Sequence, residues 1–228
     1  MFKKTINMDD AASLFKPELR DIWVTDITEE SAVLFHERLM QEFEKDPYRP
    51  IIININSYGG EVDALFTMLD TMDSIRSMAP QEFKFITVAT GKAQSAGAAL
   101  LSYGDIRLCT QNARIMIHQV IGGNWGSQPS NEVEHEEMTR MNLRLLEILR
   151  SRCKLKMSLD DFKQKLSHNL YLTPEKAKEF GIVDVIGYPK LVEQTMYDVR
   201  VINGETPPKE KKSNANRRAN QKAPKGQG

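Results

Sequence analysis

The segment Ile51-Ile52-Ile53-Asn54-Ile55-Asn56 places isoleucines at both odd and even positions. A strand with water on one side alternates apolar and polar residues, so a run of this kind expects cover on both faces, as in a parallel sheet. It stops at Ser57-Tyr58-Gly59-Gly60, after which Val62, Leu65, Phe66, Leu69, Met72 and Ile75 recur at helical spacing up to about Met78. Parallel strands need crossover connections, usually helices. The chain is therefore expected to be an α/β fold assembled from βαβ units.

A second strand-to-helix junction follows. Residues 83–89 alternate as a half-buried strand does, and Thr90-Gly91-Lys92-Ala93-Gln94-Ser95-Ala96-Gly97 leads through small residues into Ala98-Ala99-Leu100-Leu101, with Gly104 as a stop. Ser95 falls at or near a helix N-terminus, where unpaired backbone N–H groups and the helix dipole favour negative charge. It is the strongest candidate nucleophile, and small neighbours would let a peptide carbonyl approach. Serine is also an ordinary N-cap, and Ala-Gly-Ala packs helices on sheets without any chemistry. With alanine at position 93 the Gly-x-Ser-x-Gly elbow is incomplete. Gly59-Gly60 likewise reads as plain turn geometry or as open N–H groups beside a substrate.

Composition narrows the function classes. With 228 residues, 40% hydrophobic and 27% charged, one globular domain is expected. The formal charge is zero, but the residues from 204 onward carry seven basic against two acidic side chains, leaving the body at −5. Such a body gives no reason to expect specific nucleic-acid binding; the basic tail would make only salt-sensitive contacts with a polyanion. Two cysteines, Cys109 and Cys153, are too few for a disulfide scaffold or a zinc site and fit a reducing compartment. No segment reaches transmembrane length, and the N-terminus acquires acids by position 9, so a soluble cytoplasmic protein is expected. Gly91-Lys92 lacks the glycine and hydroxyl of a phosphate loop, and neither ATP hydrolysis, a metal nor another cofactor is expected.

Elsewhere, Asp21-Ile22-Trp23-Val24-Thr25 reads as a first strand. Thr28 or Ser31 would cap a helix with an apolar face of Val33, Leu34, Leu39, Met40 and Phe43, ended by Asp46-Pro47. Short strands are expected near 106–109 and 113–119. His118 closes the second, just before Gly122-Gly123-Asn124-Trp125-Gly126. A histidine there suits a general base facing a substrate, or a structural role. A long helix is expected over 131–152, with Asn131 and Glu134 as a capping box and Met138, Met141, Leu145 and Ile148 as its stripe, packed on its own body or on another subunit. Ser158 opens a helix to Leu166, and Thr173-Pro174-Glu175 opens another closed by Gly181. Residues 182–186 and 199–202 are the last strand candidates, and the Lys-, Pro-, Asn- and Gln-rich tail is expected to be disordered.

In joint order and spacing these segments resemble one family, the proteolytic subunit of the Clp protease, ClpP, over residues 22–186. Asn56-Ser57-Tyr58-Gly59-Gly60-Glu61-Val62 is similar to its Asn-Ser-Pro-Gly-Gly-x-Val segment, with Tyr58 for proline. Ala93-Gln94-Ser95-Ala96-Gly97 resembles its Ala-Ala-Ser-Met-Gly, and Met116-Ile117-His118-Gln119 with Gly122-Gly123 resembles its Met-Ile-His-Gln-Pro-x-Gly-Gly. Tyr171-Leu172-Thr173 through Glu179-Phe180-Gly181-Ile182-Val183-Asp184 resembles its closing helix and strand.

The resemblance implies a ClpP/crotonase-like fold of stacked βαβ units with a projecting handle helix, here 131–152, between two stacked heptameric rings that make a tetradecamer. It implies a peptidase domain over 21–203, after an N-terminal segment 1–20 and before a basic tail 204–228. It implies a serine endopeptidase acting on unfolded polypeptides, with Ser95 as nucleophile, His118 as base and the Gly60 and Ala96 N–H groups as oxyanion hole. Gly122 and Gly123 would bind substrate backbone as an added strand, and an AAA+ Clp ATPase would feed the chamber. The family's third triad member, an aspartate, aligns with Asn169, which can accept the imidazole N–H but brings no negative charge. Rival readings are a viral prohead maturation protease of the same fold, a weakly active structural ring subunit, and a crotonase-like acyl-CoA enzyme, which has no use for the pairing of Ser95 with His118.

Overall fold

The computed structural model describes residues 20–120, 128–155 and 157–190. The strand candidate at 199–202, the basic tail and the Gly122-Gly123 loop lie outside them. β1 (Asp21–Val24), β2 (Ile51–Ser57), β3 (Phe85–Gln94), β4 (Ile106–Cys109) and β7 (Val185–Ile186) pair in that order, all parallel. β3 has ten residues, well beyond the expected end at Ala89, and takes two successive partners within the one sheet. Its first half pairs with β4, whereas Lys92, Ala93 and Gln94 pair with β5 (Arg114–Ile117). β5 in turn pairs antiparallel with β6 (Leu170–Leu172), a strand too short for any periodicity to announce. The outcome is an α/β fold with a mostly parallel sheet.

Helices cover one face of this sheet. In α1 (Glu29–Lys45) Thr28 and Ser31 are not alternatives: Thr28 Oγ1 accepts from the Ser31 N–H at 3.2 Å and Ser31 Oγ accepts from the Thr28 N–H at 2.9 Å. This reciprocal cap fixes the helix entry. The buried stripe of α1 is Ala32, Phe35, Leu39 and Phe43, so the expectation for Val33 and Leu34 is corrected. At 100° per residue those two rotate off the stripe, and they are 56% and 50% exposed. α2 (Val62–Met78) buries Leu65, Leu69, Met72 and Ile75 as expected, and Met68 besides, whereas Val62 and Phe66 are only half-buried. α3 (Ala96–Ser102) is wholly buried.

α4 spans Gln128–Arg152, about 37 Å at 1.5 Å per residue. It begins before Asn131, so the expected capping box at Asn131 and Glu134 lies inside the helix. Ile148 and Leu149, near its C-terminal end, are buried, while Val133 and Leu143 are exposed. The helix is rooted at one end and projects from the body. α5 (Leu159–Lys165) is capped by Ser158, and α6 (Pro174–Phe180) by Thr173, with Gly181 at φ +81° ending it. The expected strand over 182–186 shrinks to two residues: the Ile182 and Val183 N–H groups donate to the Ala177 carbonyl of α6 instead of to a strand, and the Asp184 side chain carries a different bond.

That bond ties the sheet's far edge to the body. Asp184 receives hydrogen bonds from the Arg107 backbone N–H at 3.0 Å, Arg107 Nε at 3.0 Å, Arg107 Nη2 at 2.9 Å and Lys154 Nζ at 3.0 Å. Arg107 is 2% exposed. Burial pushes the Asp184 carboxyl up, but the Arg107 and Lys154 hydrogen bonds outweigh it and hold the group well below the usual carboxylate range. Removing one member of a buried pair strands the other charge. Asp184→Ala is expected to lower unfolding free energy by about 3–5 kcal/mol, read by chemical denaturation. A depressed carboxylate stabilises above its ordinary value of 3.8 and loses that contribution as pH falls below it, so Asp184→Ala also flattens the acid limb of stability.

Candidate active site

Ser95 sits between the last residue of β3 and the first of α3. Its backbone has φ +53° and ψ −123°, and among the described residues it is the one non-glycine with positive φ. Such a conformation costs of order 1–3 kcal/mol and persists only where the surroundings impose it. They do so here. The Ser95 N–H donates to the Met116 carbonyl at 2.8 Å, and the Ser95 carbonyl accepts from the Ala98 N–H at 2.9 Å, starting the helix. The hydroxyl is thereby lifted out of the sheet at a strand-to-helix elbow, although position 93 carries alanine and not glycine.

The first junction is pressed against this elbow. Gly59 has φ +107°, and a Cβ there would stand 2.7 Å from Ser95 Cβ and 2.9 Å from the Gln94 carbonyl oxygen. At Gly60, φ +154°, a Cβ would meet the Ile27 carbonyl oxygen at 2.0 Å. The paired glycines are therefore required by close approach, beyond any turn geometry. Ser57, buried at the end of β2, shapes the turn: its Oγ accepts from the Gly59 N–H at 3.0 Å. Ile27 bridges Gly60 in parallel sense and accepts from the Glu61 N–H at 2.9 Å, which turns the Gly60 N–H to the opposite side. Ala96 opens α3, where the first N–H groups have no intrahelical partner.

His118 follows β5, whose pairing with β3 brings it beside the elbow. Its Nε2 lies 2.7 Å from Ser95 Oγ, within hydrogen-bond distance; a neutral imidazole with its proton on Nδ1 accepts from the hydroxyl in this geometry. Burial pushes the imidazole below its ordinary value of 6.5; the Gln119 backbone opposes the shift but does not accept a hydrogen bond from Nδ1. Nδ1 is buried, and among the described residues it has no partner. The same space holds a cavity of about 180 Å³, with Ser95, His118, Gly60 and Ala96 on its wall and Val62, Ala99, Ile117, Leu145 and Leu149 making it apolar. Leu145 and Leu149 come from the root of α4.

The family model for Clp protease matches residues 7–190. The chain belongs to the Clp protease family. That is a family of serine peptidases, and an α/β fold with a mostly parallel sheet is the ClpP architecture. Within this Clp protease chain, Ser95, His118, Gly60 and Ala96 line one cavity, and Ser95 Oγ and His118 Nε2 lie 2.7 Å apart. Asn169 does not join them by a hydrogen bond. It is exposed, just before β6, and continuing the register in which Ile117 faces Leu170 sets Asn169 across from His118. Gly122 and Gly123 lie outside the described residues.

The sequence reading missed three parts: the Ser57 hydroxyl behind the glycine turn, the Met116 carbonyl that holds the elbow, and the apolar wall from α4. Ser57 stands inside the Asn56–Val62 motif, a local signal, whereas the other two depend on contacts distant in sequence. Gly59→Ala is expected to cut the reactivity of Ser95 by about 10²-fold, the scale of a 1 Å misplacement, with an unchanged circular dichroism spectrum. Because burial lowers the His118 pKa, the acid limb of a pH–kcat/KM profile is expected below pH 6.5.

Proposed function

We propose that this chain is a serine endopeptidase cleaving unfolded polypeptides, with an apolar side chain preferred before the scissile bond. The observation that carries the reading is the 2.7 Å hydrogen bond between His118 Nε2 and a serine held at a strained elbow. In the proposed reaction Ser95 Oγ attacks the peptide carbonyl carbon while His118 Nε2 takes its proton. The Gly60 and Ala96 N–H groups stabilise the oxyanion, and donors of this kind are worth about 10²–10³ in rate each. His118 then returns the proton to the leaving amine, and water, deprotonated by the same nitrogen, releases the acyl-enzyme. No metal or cofactor takes part.

The apolar cavity beside Ser95 supports a leucine- or methionine-sized side chain at that position. Gly122 and Gly123 would hold substrate backbone as an added strand. Family membership supports heptameric rings stacked as a tetradecamer through α4, a cytoplasmic location and an AAA+ Clp ATPase as feeder. The peptidase domain is assigned to 21–203, between the N-terminal segment 1–20 and the basic tail 204–228. Asn169 is the proposed acceptor for His118 Nδ1, reached by a side-chain rotation across the β5–β6 pair. A weakly active structural subunit is the second reading, favoured by the unpartnered Nδ1. A prohead maturation protease shares the chemistry and differs in partner.

Hydrolysis of fluorogenic peptides tests this directly. Peptides with leucine before the labelled bond are expected to be cleaved at least about tenfold faster than those with aspartate, the lower end for a lost apolar fit. Ser95→Ala is expected to abolish turnover. Asn169→Asp is expected to raise kcat by supplying the missing charge; unchanged turnover would remove Asn169 from the mechanism.

A further inference from the structure

For His118 Nε2 to stand 2.7 Å from Ser95 Oγ, the backbone that carries the imidazole has to be held on both sides of it. On the incoming side the sheet does this. Met116 pairs with Gln94 and Ile117 with Leu170, and the Met116 carbonyl accepts from the Ser95 N–H. β5 ends at Ile117, so His118, Gln119 and Val120 run on outside the strand. Among the described residues, this segment is flanked by two hollows. His118 is on the wall of the 180 Å³ cavity beside Ser95 and of another of about 370 Å³, which Lys163 and Leu166 also line. A group beside a void forfeits contacts on that side, so packing alone restrains the base weakly.

Asn142 of α4 takes hold on the outgoing side. Its Oδ1 accepts from the Val120 N–H at 2.6 Å, and its Nδ2 donates to the Met138 carbonyl, one turn back, at 3.0 Å. Together the two bonds demand an amide, with its oxygen toward Val120 and its nitrogen toward the helix. The position on α4 points the same way. Met138, Asn142, Leu145 and Leu149 follow one another at four-, three- and four-residue spacing, and each is half-buried or buried. The other three members of that stripe are apolar. Asparagine is a poorer helix former than leucine, so neither the helix nor its stripe asks for it. The Val120 amide does.

We propose that Asn142 is a positioning residue for the base: by tying the Val120 backbone to α4, it fixes the segment that carries His118 against Ser95. It acts through Val120 and not on the reacting atoms. The inference rests on the peptidase reading and deepens it, because a base outside the strand ladder needs a second anchor to keep its distance from the nucleophile. Two substitutions separate this role from simple packing. Leucine at 142 keeps the helix and its apolar stripe but leaves the Val120 N–H without its acceptor. Aspartate keeps an acceptor for Val120 and gives up only the bond to the Met138 carbonyl.

The test compares full-length wild type, Asn142→Leu and Asn142→Asp, each shown to be folded by circular dichroism. It reads the rate of fluorophosphonate labelling at Ser95, kcat and KM for a leucine peptide, and amide hydrogen exchange in the peptide that contains Val120. Asn142→Leu is expected to slow labelling and kcat by about tenfold or more, toward the roughly 10²-fold of a 1 Å misplacement. KM changes less, and exchange at Val120 becomes faster. Asn142→Asp is expected to recover most of both rates, which a role in packing alone would not produce. Equal labelling rates in wild type and Asn142→Leu, unchanged exchange at Val120, or as large a loss in Asn142→Asp as in Asn142→Leu would overturn the inference. An unlabelled wild type would overturn the peptidase reading and this inference with it, whereas a labelled wild type confines any failure to Asn142.

Discussion

Everything at the site depends on how closely two strand-to-helix turns approach one another. Gly59 stands where a single added carbon would be 2.7 Å from Ser95 Cβ. The contact is available because Ser57 and the Ile27 bridge hold the glycine turn from behind, and because the Met116 carbonyl holds Ser95 from the β5 side. A residue in a strained conformation is stable only when over-determined in this way. The same arrangement sets Gly60 and Ala96 on the wall that carries Ser95 and His118. Fold and chemistry meet at that contact: β2 and β3 must pair in parallel register for the turns that follow them to touch.

The projecting helix takes part in both. Its exposed length lies beyond the body, but its root supplies Ile148 and Leu149 to the core and Leu145 and Leu149 to the cavity beside the nucleophile. Asn142 on the same helix accepts from the Val120 N–H at 2.6 Å, two residues after His118. A displacement of α4 is therefore felt both in the apolar cavity and in the chain that carries the base. Further along, Arg107 Nη1 donates to the Arg152 carbonyl at the helix end, so the buried pair with Asp184 anchors the same element.

Much of this was legible in the sequence because the signals were local. Ile51-Ile52-Ile53-Asn54-Ile55 reads as a strand buried on both faces, and it is one: Ile51, Ile53 and Ile55 join the main core, and Ile52 a separate buried cluster with Ile86, Val88 and Leu108. The caps at Thr28, Ser158 and Thr173 depend on residues three positions apart, and all three occur. What failed was set by tertiary context. Val33 and Leu34 are apolar but rotated off the buried stripe, and the start of α4 before Asn131 ignores a local capping pattern. β3 runs on to Gln94 because β5 is there to pair with it, a partner 22 residues further along the chain, as Lys92 with Arg114. Ser95 was identifiable as a candidate by position, while its positive φ, the feature that separates an elbow from an ordinary cap, is a property of the fold alone. Asn169 aligned with a triad position, yet its side chain is not hydrogen-bonded to His118, and alignment carries no information on rotamers.

The central claim is that Ser95 is an activated nucleophile, and its most direct measurement is labelling by a fluorophosphonate with the adduct located by peptide mass spectrometry. Wild-type protein, Ser95→Ala and His118→Ala are compared under conditions where all three are folded. The account predicts one adduct, on Ser95, absent from Ser95→Ala and strongly reduced in His118→Ala. Absence of labelling in folded wild-type protein, or labelling of Ser95 that is indifferent to His118, would contradict it.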